Sequence, residues 1–266
     1  MSDFNAITPE KLMRRIGLPD APLIIDVRIP EDVAAAPQAI PASIPWDFQN
    51  IDGLIARAAG RTCVVICHKG LKLSQGVAAL LRNAGIRAEV LKGGHVGWVA
   101  AALPLVRLSA QPASGRWVTR HRPKIDRIAC PWLIRRFVDA DATFMFVPPS
   151  DVMDVASRFD AVPFDVEGVQ FTHRGANCTF DAMIADFGLS HPALDRLADV
   201  VRAADTNAHD QNLHAAGLLA VSVGLSRMYK DDTEQLDAGM LIYDALYRWA
   251  RDGFDEGHDW PAARPV

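Results

Sequence analysis

Three short, almost wholly apolar runs set the frame for this chain. Leu23-Ile-Ile-Asp-Val27 and Cys63-Val-Val-Ile-Cys67 are β-branched runs, and Ala88-Glu-Val-Leu91 is a third, closed by Gly93-Gly94. Between the second and third, Leu73 to Asn83 carries Val77, Leu80 and Leu81 at helical spacing before Gly85 stops it. Strand, helix and strand in that order predict a parallel sheet covered by helices, the α/β class. A further helix is expected from His95 to Ala102, and the first domain is expected to end near Val106.

With 266 residues, half of them apolar, the chain can bury the core of one large domain or two ordinary ones. The segment Ser109-Ala-Gln-Pro-Ala-Ser-Gly115 is small and polar, which predicts a first domain over 1–107, a linker over 108–115 and a second domain over 116–266. The second domain reads as mainly helical (α+β). Its expected helices are Pro192 to Ala204, Gln211 to Tyr229, and Thr233 to Arg251, the last capped by Asp232 and stopped by Gly253.

A net charge of -4 gives no global attraction to phosphate backbones or anionic lipid, so neither nucleic acid nor membrane is an expected partner. The N-terminus lacks a basic start followed by an apolar core, and no run of about 18 apolar residues follows, so a cytoplasmic setting is expected. Cys63, Cys67, Cys130 and Cys178 form no CxxC pair, and reduced thiols are expected. G-x-G-x-x-G, Walker, G-x-S-x-G and H-E-x-x-H patterns are absent from the sequence.

The loop after the second run bears the chemistry. If Cys67 ends a strand and a helix starts near Leu73, backbone N–H groups and the helix N-terminus converge on an anion site. The same field favours a thiolate, helped by His68, Lys69 and Lys72, although a strand-end cysteine can also be simple packing. Asp26 and Arg28 read as a structural ion pair, and Cys63 and Trp98 as core.

Four ordered motifs resemble the rhodanese family: Asp26-Val-Arg28, Ile40-Pro-Ala-Ser-Ile-Pro45, the loop Cys67-x-x-Gly70-x-Lys72, and Leu91-Lys-Gly-Gly94 leading to Trp98. The resemblance implies a rhodanese-like domain with a parallel central sheet, in which Cys67 accepts a sulfane sulfur, carries it as a persulfide and passes it to a thiol acceptor. It implies binding of the persulfide anion by the backbone of His68, Lys69, Gly70 and Leu71, with Lys72 orienting the donor and no cofactor required. Six residues from Cys67 to Lys72 is the sulfurtransferase loop length in that family; related phosphatases have one more. The chain departs from the pattern in three places. Lysine stands at the usual arginine, a point charge instead of a fork; Leu73 displaces the usual hydroxyl residue to Ser74; and Ala42 or Ser43 stands where glycine is common.

The segment from Arg116 to Arg136 holds seven Lys or Arg residues and one acid. Arg120, Arg122, Lys124 and Arg127 are candidate ligands for a small oxyanion, and Trp117 and Trp132 interleave with the basic residues as stacking rings would; a solvated face is the alternative. Asp126-Arg127 reads as a salt bridge or as part of an oxyanion pocket, and Cys130 as a buried thiol. His173, Asp205 and His209 are candidate ligands of a divalent metal if 205–209 is helical, with helix-capping polar residues as the alternative. Arg116-Trp-Val-Thr-Arg120, Pro123 to Arg136, His173-Arg-Gly, Cys178-Thr-Phe-Asp181, Ala204-Asp-Thr206 and Ala215-Ala-Gly-Leu-Leu219 resemble the C-terminal domain of ChrB-like chromate-resistance proteins. That resemblance implies a chromate-related role. The expectation is a sulfurtransferase joined to a ChrB-like domain. The alternatives are a chromate-sensing or oxyanion-binding regulator with a non-catalytic rhodanese module, and a metal-dependent enzyme in the second half.

Overall fold

A computed structural model describes residues 5–257; the ends of both expected domains, 1–4 and 258–266, lie outside the described residues. The first half runs β1 (Ala6–Ile7), α1 (Pro9–Met13), β2 (Leu23–Asp26), α2 (Pro30–Ala35), β3 (Gln38–Ala39), β4 (Ser43–Pro45), α3 (Ile51–Ala58), β5 (Cys63–Ile66), α4 (Lys72–Asn83), β6 (Ala88–Leu91), α5 (Gly94–Ala100) and β7 (Val106–Arg107). The second runs β8 (Arg116–Arg120), α6 (Asp126–Leu133), β9 (Thr143–Val147), α7 (Val152–Phe159), β10 (Val162–Pro163), α8 (Thr179–Phe187), α9 (Pro192–Asp205), α10 (Ala215–Met228) and α11 (Asp232–Arg248).

The central sheet is parallel throughout, in the order β1-β6-β5-β2-β4. Every residue of β2 and β5 is buried, because helices or the second half cover both faces. Leu23, Ile25, Cys63 and Val65 pack under Leu54 of α3 and Val77 and Leu81 of α4. Ile24, Val64 and Ile66, one residue out of phase, face the opposite way and join the large core of the second half. Cys63 and Trp98 are core, as their surroundings in the sequence suggest.

The second half is built on a small parallel sheet, β10-β8-β9, under mainly helical layers. Trp132 of α6 is its centre, with the rings of Phe137, Phe180, Tyr243 and Tyr247 at 5.5 to 6.4 Å. Its indole N–H donates to Asp244 Oδ1 at 2.8 Å, and Arg136 clasps both oxygens of that carboxylate. Trp117 and Trp132 are 1% and 0% exposed, so these rings are core and cannot stack on a nucleic acid. Asp231, not Asp232, caps α11 by accepting from Thr233 N and Glu234 N, while Asp232 accepts from Arg122 N. The helix expected from Gln211 begins only at Ala215.

The two halves on either side of 108–115 share one core. Ile16, Ile24 and Trp98 belong to the same buried cluster as Phe137, Phe187 and Tyr247. At Gly17 (φ +81°) an added Cβ would lie 2.5 Å from Tyr247 Cε1 and 2.7 Å from Phe137 Cζ. Backbone and side-chain bonds cross the junction: Ala42 N to Phe137 O at 2.7 Å, and Arg251 Nη1 to Arg14 O at 2.7 Å. Among the described residues, no helix is long and apolar enough to cross a membrane.

Candidate functional site

Cys67 follows β5 directly, at the C-terminal end of a central strand, and is 6% exposed. Its Sγ accepts from Leu71 N at 3.3 Å and lies 3.1 Å from Ser74 Oγ. The chain can turn this tightly because Gly70 adopts φ +69°, and a Cβ there would sit 2.5 Å from Leu91 O. Gly94 closes the other side, where a Cβ would sit 2.3 Å from Cys67 O. The amides of His95 and Val96 donate to Cys67 O and His68 O at 3.0 Å each, so α5 holds the loop carbonyls outward. The loop amides are left to face the sulfur.

Burial pushes the Cys67 thiol up, but the bonds from Ser74 Oγ and from the amides of Ser74, Leu71 and Lys69 outweigh it and bring the thiol below its ordinary value. The N-terminus of α4, a twelve-residue helix, points the same way. Ser74 Oγ also donates to Leu71 O at 3.2 Å, so its proton can turn to the sulfur when the thiolate forms. The serine that looks one position late in the sequence is therefore the one that reaches Cys67. Counted from Cys67, that serine is the eighth residue, two beyond the six-residue count that ends at Lys72.

His68 is half-buried, Lys69 and Lys72 are exposed, Gly70 is buried, and Leu71 is 59% exposed. Asp26 and Arg28 form a buried pair at 2.7 Å, and Arg28 also donates to Ala36 O and Gln38 O, tying β2 to β3. His95, which no sequence signal singled out, is 1% exposed with Nε2 3.1 Å from Gln38 O. Burial, then the charge of Arg28, hold it below the usual imidazole range. A cleft of about 540 Å³ is lined by Asp26 and Arg28 together with Trp46, Phe48, Val33, Leu108 and Gln111, and Cys67 does not line it.

The second half brings together a different set. His173 Nε2 lies 3.1 Å from Asp205 Oδ2, 3.5 Å from Asp126 Oδ2 and 3.6 Å from Asp165 Oδ1. His209 is not among them: α9 ends at Asp205 and His209 sits on a separate short turn, so the two share no helical face. Asp126 takes its place, and Asp126, His173 and Asp205 each offer a ligand atom within 4.8 Å of the others. The hydrogen bond to Asp126 raises the His173 imidazole to about 9 against the effect of burial, and the surrounding carboxylates add to the rise. Burial and the charges of Asp126 and Asp165 lift Asp205 to about 7. Burial holds Cys130 and Cys178 as neutral thiols.

Arg120 and Arg127 do not pair with Asp126. Both reach Asp165 Oδ2, at 2.9 and 3.4 Å, while Arg127 also donates to His121 O. Arg122 is exposed and Lys124 half-buried. Arg122, Ile125 and Asp165 have φ of +54°, +46° and +53° around this cluster. For a β-branched isoleucine that backbone is an outlier, costing on the order of 1–3 kcal/mol.

A parallel five-stranded sheet presenting a cysteine loop at the end of a central strand defines a rhodanese-like domain, and residues 8–101 match the model of the rhodanese-like domain. Residues 117–250, half of the chain, match the C-terminal domain of ChrB. The chain belongs to that family, with a rhodanese-like domain preceding the ChrB domain. It is 35% identical over 159 residues to Protein ChrB of Cupriavidus metallidurans, a match covering 59% of this chain and 47% of that protein, so the chain spans about half of that relative's length. A sulfurtransferase of Allochromatium vinosum is 27% identical over 103 residues, 38% of this chain and 94% of that one. A rhodanese-related protein from Thermoplasma volcanium aligns in structure with 21% identity and TM-score 0.34, covering 39% of this chain and 98% of that one.

Proposed function

We propose that the protein is a sulfurtransferase in which Cys67 carries the transferred sulfur. The observation behind this reading is the Cys67 sulfur itself, held by Ser74 Oγ and Leu71 N in a loop that lowers its pKa. The thiolate attacks the outer sulfur of a sulfane donor such as thiosulfate; the donor's S–S bond breaks, its electron pair leaves with sulfite, and a Cys67 Sγ–S bond forms. The amides of the His68 to Leu71 loop stabilise the persulfide anion, and Lys69 and Lys72 attract the donor's oxyanion. An acceptor thiolate then attacks the outer sulfur, taking it and returning the Cys67 thiolate. No cofactor enters either step. Four free cysteines suit a reducing, cytoplasmic setting, and the match of the second half to the ChrB C-terminal domain supports a role connected with chromate resistance.

The test is thiocyanate formation from thiosulfate and cyanide, with the intact mass of the protein read before cyanide is added. Turnover and a one-sulfur adduct, both absent in Cys67→Ser, are expected. A second reading, an oxyanion-binding regulatory module without turnover, rests on Lys72 in place of arginine and on the apolar Leu73 just before Ser74. Chromate binding without any adduct from thiosulfate or other sulfane donors would favour it.

A further inference from the structure

We infer that Asp126, His173 and Asp205 form a binding site for a divalent first-row metal ion in the second half of the chain, separate from the Cys67 loop. Three elements distant in sequence converge here: the first residue of α6, the turn before α8, and the last residue of α9. Their ligand atoms lie within 4.8 Å of one another, and His173 Nε2 stands 3.1 and 3.5 Å from the Asp205 and Asp126 oxygens. A metal at the usual bond length of about 2.0–2.2 Å separates neighbouring ligand atoms by about 3.0–3.5 Å, in octahedral or tetrahedral arrangement. The pocket is close to that size already.

A further observation points to a cation. Asp126 is 1% exposed; its Oδ2 accepts from Thr179 N at 2.6 Å, but its Oδ1 is buried with no hydrogen-bond partner. A carboxylate oxygen left so is costly unless something binds it. Arg120 and Arg127 both engage Asp165, and His173 is the group that lies between Asp126 and Asp205.

Asp165 accepts from Thr179 Oγ1 at 2.9 Å, and Arg174 is clamped to Asp186 at 2.6 and 2.7 Å, so both sides of the His173 turn are tied down. One nitrogen and two oxygens suit zinc, iron(II) or manganese, and three protein ligands leave coordination positions open for an exchangeable ligand. The His173 side chain is 41% exposed, which gives the ion a path in.

The test is binding of Zn²⁺ and Mn²⁺ to the full chain after chelation and dialysis, followed by calorimetry and elemental analysis. One equivalent of at least one ion is expected, reduced at least tenfold in affinity in both His173→Ala and Asp205→Asn, with unchanged circular dichroism, and retained in His209→Ala. No stoichiometric binding of either ion would overturn the site, leaving a hydrogen-bonded imidazole–carboxylate cluster. Binding that survives both ligand substitutions would overturn it equally. If one substitution unfolds the chain, the other decides.

Discussion

Ser74 determines how reactive Cys67 is, since its hydroxyl lies 3.1 Å from the sulfur and can reorient from Leu71 O to a thiolate. Ser74→Ala removes a hydrogen bond to a charged group, worth roughly 1.5–3 kcal/mol. The bonds from Ser74 and the loop amides bring the Cys67 thiol below its ordinary value, so the pH midpoint of its alkylation should lie below that of an ordinary thiol in the native protein and move up in this variant. The alkylation rate at neutral pH should fall about tenfold or more. A pH profile of iodoacetamide labelling checks both, and an unchanged midpoint would remove Ser74 from the account. Cys67, the Asp26–Arg28 pair and the glycine at position 70 were legible in the sequence because each sits at a fixed offset from an apolar run. The reach of Ser74 was not, because it depends on how the loop turns through Gly70 and Leu71. The His173 cluster was half legible: His173 and Asp205 stood out by residue type, whereas Asp126 looked like the partner of its neighbour Arg127. The choice between Asp126 and His209 rests on contacts between residues dozens of positions apart.

At the scale of elements, α5 acts as a brace for the cysteine loop, donating its first amides to Cys67 O and His68 O. Gly94→Ala would drive a methyl group to 2.3 Å from Cys67 O at a residue with φ +59°. The loop must shift, so this variant should lose the heightened thiol reactivity and about 2–3 kcal/mol of stability in urea unfolding. The helix ends give a second prediction. Asp231→Ala removes the α11 cap and should cost about 1 kcal/mol by thermal or urea unfolding. Helix existence was readable from periodicity in α4, α9 and α11, while the choice of Asp231 over Asp232 as the cap was not, because adjacent aspartates are equivalent in pattern and Asp232 is taken by Arg122 N.

At the scale of the whole molecule, the sheet of the rhodanese-like half presents Ile24, Val64 and Ile66 to the same core that holds Trp132 and Tyr247. The sequence shows a polar segment at 108–115 and suggests a boundary, but a covered sheet face is equally apolar whether its cover is a helix of the same domain or a neighbouring one. The shared core predicts one cooperative thermal transition followed by both near-UV circular dichroism and Cys67 reactivity. Two separated transitions would mean independent halves. The central claim remains that Cys67 carries sulfur, and the most direct measurement is the intact mass of the full chain after thiosulfate treatment, beside Cys67→Ser. The account predicts a single added sulfur atom on the native chain, discharged by cyanide and absent from the variant; an unmodified native chain with thiosulfate and with other sulfane donors would contradict it.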